Sequence, residues 1–192
     1  MDKKVFNILM VGVGGQGIIL AGDIMSAAAL NAGLDVKKSE IHGMSQRGGS
    51  VFCHVRFGEK VYSPVISEGE ADILVSLEKM ETLRWLRWSN DKTRFIVLSE
   101  EIKPAMTDVY PDGIDEELES KCKDLVLLSP KEIVGKIGDR KYLNVCLLGI
   151  VSKFAGFDAE CWKRAIWDLA PKGSREDNWK AFEFGRNEFL SE

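Results

Sequence analysis

An apolar run over residues 5–11, VFNILMV, breaks into Gly12-Val13-Gly14-Gly15-Gln16-Gly17 and resumes as Ile18-Ile19-Leu20-Ala21. That order reads as a buried strand, a tight turn and the first turn of a helix, and it commits the chain to an α/β arrangement from its first element. Glycine reaches positive φ without a Cβ clash, so a turn this rich in it lets the backbone approach an anion closely. The first amides of the helix point out of the end that carries partial positive charge. The chain therefore opens with a candidate phosphate cradle.

A second glycine-bearing stretch, Ile41-His42-Gly43-Met44-Ser45-Gln46-Arg47-Gly48-Gly49, follows the next expected strand, residues 36–41. Arg47 sits there among small residues, where a guanidinium pairs bidentately with a phosphate or carboxylate, or braces a bulge. Two such loops imply one shared site. As a pattern, Gly12, Gly14 and Gly17 also satisfy GxGxxG, and Glu40 lies near the end of the second strand, where a ribose-binding acid sits in dinucleotide folds. A bound NAD or FAD and simple tight packing of strand against helix are both open readings of that short motif.

The rest of the chain supports a sheet with crossover helices. A helix is expected over residues 16–32, ending before Gly33. Residues 50–57 alternate apolar and polar or small side chains and are followed by Gly58-Glu59-Lys60 and Val61-Tyr62, which predicts an early β-hairpin. Short apolar strands are expected at 71–77, 94–99 and 124–129, with a helix over 78–88; the stretch containing Pro104, Pro111 and Gly113 reads as loop and hairpin. Pro130 suits a first helical turn. Helices follow over 143–154, over 158–169 with Asp158 as cap, and after Ser174. The expected fold class is α/β, a three-layer Rossmann-like arrangement with a mostly parallel sheet, an early hairpin and C-terminal helices, in one domain spanning residues 1–192.

Composition narrows the function. Apolar residues make up 45% and charged residues 29%, which indicates neither disorder nor a membrane span. The formal charge is −4 and the basic residues are spread along the chain, so a nucleic-acid surface is not expected. No apolar leader precedes the first strand, and cytoplasmic residence is the default. Cys53, Cys122, Cys146 and Cys161 form no CxxC pair, which removes the usual spacing for zinc or an iron–sulfur cluster and favours buried free thiols. The two histidines, His42 and His54, have no assigned carboxylate partner, and Ser26, Ser45 and Ser76 have no evident base. No complete catalytic centre is expected, and Trp85, Trp88, Trp162, Trp167 and Trp179 read first as core.

The segments GVGGQGIILAGDIM, from Gly12, and SEIHGMSQRGGSVFCHVRFG, from Ser39, taken together resemble the beta subunits of indolepyruvate ferredoxin oxidoreductases. More broadly the chain is similar to the gamma-type subunits or domains of the 2-oxoacid:ferredoxin oxidoreductases. Pyruvate-type members carry a second loop closer to YGPExRGG, and HGMSQRGG points to the indolepyruvate branch. Ala71-Asp72-Ile73-Leu74, Glu78, and Asn144 ahead of Leu148-Gly149 extend the resemblance along most of the chain.

The resemblance implies a subunit, inactive alone, of an enzyme that converts an aryl 2-oxoacid, CoA and oxidised ferredoxin into an aryl-acetyl-CoA, carbon dioxide and reduced ferredoxin. It implies that thiamine diphosphate and iron–sulfur clusters belong to a large alpha subunit, and that this chain binds no cofactor by itself. Gly12, Gly14, Gly15, Gln16, Gly17, Ser45, Gln46, Arg47, Gly48, Gly49 and Asn144 are the expected contacts to that subunit's site, with CoA phosphates or substrate carboxylate as ligands. Self-association of the isolated chain is also expected. A self-contained nucleotide-dependent oxidoreductase and a ligand-free scaffold subunit stand as the alternatives.

Overall fold

The structure, a computed structural model, describes residues 5–42, 49–103 and 109–189. At its centre is β1 (Val5–Val13), buried from its third residue to its last. A strand covered on both faces needs apolar residues at every position rather than every second one, which is why VFNILMV shows no alternation. β1 pairs in parallel with β4 (Ile73–Ser76) on one side and antiparallel with β3 (Ser50–Gly58) on the other. With β2 (Asp35–His42), β5 (Arg94–Leu98) and β6 (Asp124–Leu128), the six-stranded sheet has the order β2-β3-β1-β4-β5-β6. Only β3 runs against the others, so the sheet is mostly parallel.

The early hairpin is the β2–β3 pair, aligned with Asp35 opposite Gly58 and His42 opposite Val51. Val61 and Tyr62, expected as its second strand, form none. Both edges of β3 are already taken by β1 and β2, and no ladder is left for them. Instead the segment after β3 folds back: the Val61 amide donates to the Asp35 carboxylate at 2.9 Å, and the Arg56 guanidinium donates to the carbonyls of Ser63 and Val65.

Side chains alternate across the sheet with period two. Ile8, Met10, Cys53, Val55, Val75 and Ile96 face a large cluster shared with α1 (Ile18–Asn31), α5 (Leu143–Ala155), α6 (Ala159–Leu169) and α7 (Arg175–Glu188). Leu9, Val11, Leu74, Phe95 and Val97 face a smaller one, closed by Trp85 from just beyond α2 (Lys79–Arg84) and by Ile114 and Leu118 of α3 (Ile114–Lys121). α4 (Pro130–Ile137) opens on Pro130, with the Ser129 hydroxyl accepting from the Glu132 amide.

α3 lies where the sequence suggested loop and hairpin. Only Ile114 and Leu118 are buried along it, too few to show helical periodicity. Asp115, Glu116 and Glu117 in its first turn and Lys121 in its last match the helix dipole at both ends. The helix expected over 78–88 is shorter, α2 followed by a 3-10 turn, Leu86–Trp88. Trp162 is fully buried and Trp85 nearly so, while Trp88, Trp167 and Trp179 pack at the cluster margins. All four cysteines are unpaired; Cys53, Cys122 and Cys146 are buried, and burial pushes the Cys53 and Cys146 thiols up to about 12. Among the described residues no helix is long and apolar enough to cross a membrane.

α5 and α7 touch backbone to backbone. A Cβ on Gly149 would fall on the Phe182 carbonyl, and one on Gly185 would fall on the Cys146 carbonyl. Glycine is required at both positions for close approach, although in a free helix it costs about 1 kcal/mol relative to alanine. Gly149→Ala and Gly185→Ala should each destabilise by roughly 1–3 kcal/mol through overpacking, against the sign of helix propensity, as read by thermal unfolding.

His54, 4% exposed, accepts from the Ile66 amide at Nδ1 and lies edge-on to Phe52. Burial first, and the nearby Arg56 second, lower its pKa to about 4. A base that stays neutral in the folded chain but protonates near 6.5 when unfolded makes stability fall as pH drops through that window. Chemical denaturation should lose roughly 3 kcal/mol from this residue between pH 6.5 and pH 4, and His54→Asn, which keeps an acceptor at the Nδ1 position, should flatten that part of the profile.

Candidate functional site

β1 connects through α1 towards β2 on one side of the sheet, while β4 leads through α2 to β5 on the other. At such a reversal the loops after neighbouring strands part and leave a crevice at their carboxyl ends. A cleft of about 640 Å³ opens there, lined by the glycine turn after β1, Leu77 after β4, Leu98 and Glu100 at the end of β5, and the residues leading into α5.

Gln16 sets the shape of the turn. Its side chain folds back, with Oε1 accepting from the Val13 amide at 2.8 Å and Nε2 donating to the Leu77 carbonyl at 2.6 Å. A Cβ on Gly12 would collide with that Oε1 and with Ile18 Cδ1, so the fold over Gly12 is possible only without a side chain there. Gly15, at φ +95°, has open space around it and faces the cleft.

Gly17, at φ +76°, is the left-handed cap of α1, and its carbonyl accepts from Asn144 Nδ2 at 3.0 Å. Asn144 Oδ1 in turn accepts from the Val145 amide at 2.9 Å. One asparagine therefore ties the start of α5 to the start of α1 across 127 residues of sequence. α1 has no side-chain cap and no acid in its first turn, and helix geometry leaves the amides of Ile18, Ile19 and Leu20 without intrahelical partners.

The glycine turn touches the last residue of the second glycine stretch: the Gly14 amide donates to the Gly49 carbonyl at 2.9 Å. Ser45, Gln46, Arg47 and Gly48 lie outside the described residues. Gly12, Gly14, Gly15, Gln16, Gly17, Gly49 and Asn144 are brought into one neighbourhood at the carboxyl edge. Glu40 is not part of it. β3 intervenes between β1 and β2, which moves Glu40 one strand farther out than a dinucleotide fold places its acid, and Glu40 is paired with Lys38 at 2.6 Å.

Sequence reasoning did not single out the charged rim. Arg140 and Lys141 sit in a 3-10 turn, Arg140–Tyr142, directly before α5. Arg140 is 2.6 Å from Glu100, and Lys141 pairs with Asp139 at 2.9 Å. The Lys141 amide and then its side chain hold the Asp139 carboxyl below the usual carboxylate range, and Asp139 raises Lys141 in return. The signal was available in outline: Glu100 follows an expected strand at its carboxyl end, where ligands bind in open α/β sheets.

Beside the cleft, the first turn of α2 carries buried charge. The fully buried Glu78 caps it, with one carboxylate oxygen accepting from the Glu81 amide at 2.8 Å and the other from the Tyr110 hydroxyl at 2.6 Å. Burial raises the Glu78 pKa against the pull of these hydrogen bonds. Glu81 accepts from the Ser50 hydroxyl at 2.5 Å, which fastens the strand that follows the second glycine loop. Lys79 is held by Glu101 and Asp115, both at 2.7 Å. Among the described residues no group of His, Cys, Asp and Glu is arranged to hold a metal ion.

A family model described as pyruvate ferredoxin/flavodoxin oxidoreductase matches residues 7–188. Indolepyruvate oxidoreductase subunit IorB of Archaeoglobus fulgidus is 37% identical over 193 residues, covering 96% of each chain. The subunit of the same name from Thermococcus kodakarensis is 35% identical over 192 residues, covering 95% of each. Among solved structures, the 2-oxoglutarate:ferredoxin oxidoreductase of Magnetococcus marinus superposes with a TM-score of 0.74 at 20% identity, covering 99% of this chain and 32% of that one, a likeness of fold. On the family match and these end-to-end similarities, the chain belongs to the pyruvate ferredoxin/flavodoxin oxidoreductase family, as a 2-oxoacid:ferredoxin oxidoreductase subunit resembling the indolepyruvate type.

Proposed function

We propose that this chain acts as one unit in an aryl 2-oxoacid:ferredoxin oxidoreductase of the indolepyruvate type, paired with a large subunit that carries thiamine diphosphate and iron–sulfur clusters. The reading is carried by the 37% identity, end to end, to a subunit named for indolepyruvate. Among the described residues the chain offers no cysteine cluster and no nucleophile with a base, and the reading assigns the redox and carbon–carbon chemistry to the partner's cofactors. Its own contribution is shape and polarity: the Gly14–Gly17 turn and the Ser45–Gly49 loop face the large subunit and hold CoA phosphates or the substrate carboxylate. The Magnetococcus marinus enzyme was solved with 2-oxoglutarate, coenzyme A and succinyl-CoA bound, which supports ligands of that kind for this family.

A self-contained NAD or FAD enzyme is less well supported, since Glu40 lies on an edge strand and is engaged by Lys38. Stoichiometric binding of either nucleotide by the isolated chain would favour it.

The deciding assay is anaerobic, CoA-dependent reduction of an artificial acceptor by indolepyruvate, using the large subunit from the same organism with and without this chain. Activity should appear only in the mixture, and activity of the large subunit alone would overturn the reading. In the assembled enzyme, Arg47→Ala should raise the KM for CoA or for the 2-oxoacid by about tenfold or more, the scale of a lost charge-assisted hydrogen bond. Unchanged constants for both would leave the second loop an architectural part.

A further inference from the structure

Two of the exposed apolar side chains, Leu30 and Ile41, flank an open edge of the sheet. β2 is the last strand on its side, and among the described residues no strand pairs with its outer edge. Such an edge offers a row of backbone donors and acceptors to any extended chain, and natural edges are blunted by a proline, a bulge or a free lysine. β2 has none of these. Its eight residues, DVKKSEIH, pair one to one with β3 from Asp35 to His42. Its lysines are engaged within the chain, Lys37 by Asp35 at 3.0 Å, and Lys38 by Glu40 at 2.6 Å and by Asp23 of α1.

Those pairs also fix what lies on either side of the edge. The Asp23–Lys38 contact turns one stripe of α1 toward β2, and helical spacing puts Ala27 and Leu30 on the same stripe as Asp23. Leu30 is 60% exposed there. Strand residues alternate, so Lys38 and Glu40 stand on the α1 face while Lys37, Ser39 and Ile41 stand on the other. On that second face β2 adds nothing to the smaller apolar cluster, and Ile41 is 53% exposed.

The charges along β2 select both a partner and a register. A two-fold axis perpendicular to the sheet lays two copies of β2 antiparallel, edge to edge, with each face kept on its own side. Opposed residues must then share a face, so the axis passes through a residue position. Through Lys38 or through Glu40 it sets that residue against its own copy, and like charges directly opposite are destabilising. Through Ser39 it sets Lys38 opposite Glu40 of the second copy and the Lys37 stem along Ile41 of the second copy, each contact made twice. We propose that the β2 edge is a docking surface for a second copy of this chain, the two sheets joining antiparallel about Ser39, with Ile41 covered on one face and Leu30 at the seam on the other. A foreign strand has no reason to carry the reverse of this charge order, whereas a second copy carries it by symmetry. The joint gives the expected self-association a place, and it holds whatever reaction the chain serves.

Sedimentation of the full chain over a range of concentrations tests this, and a reversible dimer is expected. Ile41→Lys puts like charges opposite Lys37 at two symmetric positions and should raise the dimer dissociation constant about tenfold or more, with Leu30→Lys acting in the same direction. Both side chains are exposed, and unchanged circular dichroism will show that the variants fold. With the half-exposed Cys161 removed by Cys161→Ser, Ser39→Cys should cross-link two chains on mild oxidation, because residues opposed on the axis lie about 4.5–5.5 Å apart at Cα, within disulfide reach. Lys37→Cys, displaced from its copy by about 13 Å along the strand, should not. A chain that stays monomeric at every concentration, a dimer indifferent to either lysine, or cross-linking at Lys37→Cys rather than at Ser39→Cys would each overturn the proposal. A monomer that takes up the large subunit only while Leu30 and Ile41 are intact would overturn it in favour of that subunit as the occupant of the edge.

Discussion

The bridge made by the Gln16 side chain, from the Val13 amide to the Leu77 carbonyl, holds together the carboxyl ends of the two central parallel strands. It exists only because Gly12 has no Cβ in its path. From that bridge the rest follows in order. The turn is pinned close over β1, the chain leaves it through a left-handed Gly17, and α1 starts with its amides directed over the edge of the sheet. Asn144 then reads the position of Gly17 and fixes α5 to it. The turn is thus a rigid wall of the cleft rather than an adaptable loop, as a site must be if its amides are to meet an anion without reorganising.

Charge around the cleft is arranged in two tiers. Buried Glu78 and Glu81 work as structural anchors: one fixes Tyr110, and the other fixes Ser50 at the root of the second glycine loop. Each carboxylate is satisfied by several donors, the condition under which a buried charge is tolerated. The outer tier pairs half-buried Glu100 with exposed Arg140, and Asp139 with exposed Lys141, so that both cations stand in solvent, where ion pairs are worth little. The first tier anchors Tyr110 and Ser50 beside the cleft, and the second lies at its mouth. This division suits the proposed role, in which the reactive chemistry lies on a partner chain.

Much of the frame was legible before the structure. The strand at residues 5–11, the glycine turn, the helices after Tyr142 and the Pro130 helix start all appear close to where local chemistry put them, because each is marked by a property that neighbours in sequence carry: an apolar run, a missing Cβ, a fixed φ. α3 was not legible, since a helix that buries only Ile114 and Leu118 leaves almost no periodic trace. The second strand of the hairpin was misplaced at Val61 and Tyr62, because alternation announces a strand and says nothing of which edge it will find. The site was half legible. Glycines and Arg47 carry motif information, while Arg140, Lys141 and Glu100 look like ordinary surface charges until the sheet brings the end of β5 opposite the entrance to α5.

The sequence alone determined that this chain would build an α/β sheet around a strand buried on both faces, with a glycine turn at its carboxyl end. Those outcomes depend on backbone freedom, periodicity and helix ends, all of which are local. Only the tertiary structure decided that β3 would insert between β1 and β2, that Glu40 would be removed from the turn, and that Asn144 and Arg140 would close a cleft begun more than a hundred residues earlier. Such partners are selected by which buried edges and carbonyls remain unsatisfied once the sheet has formed, and that competition is settled by the whole fold.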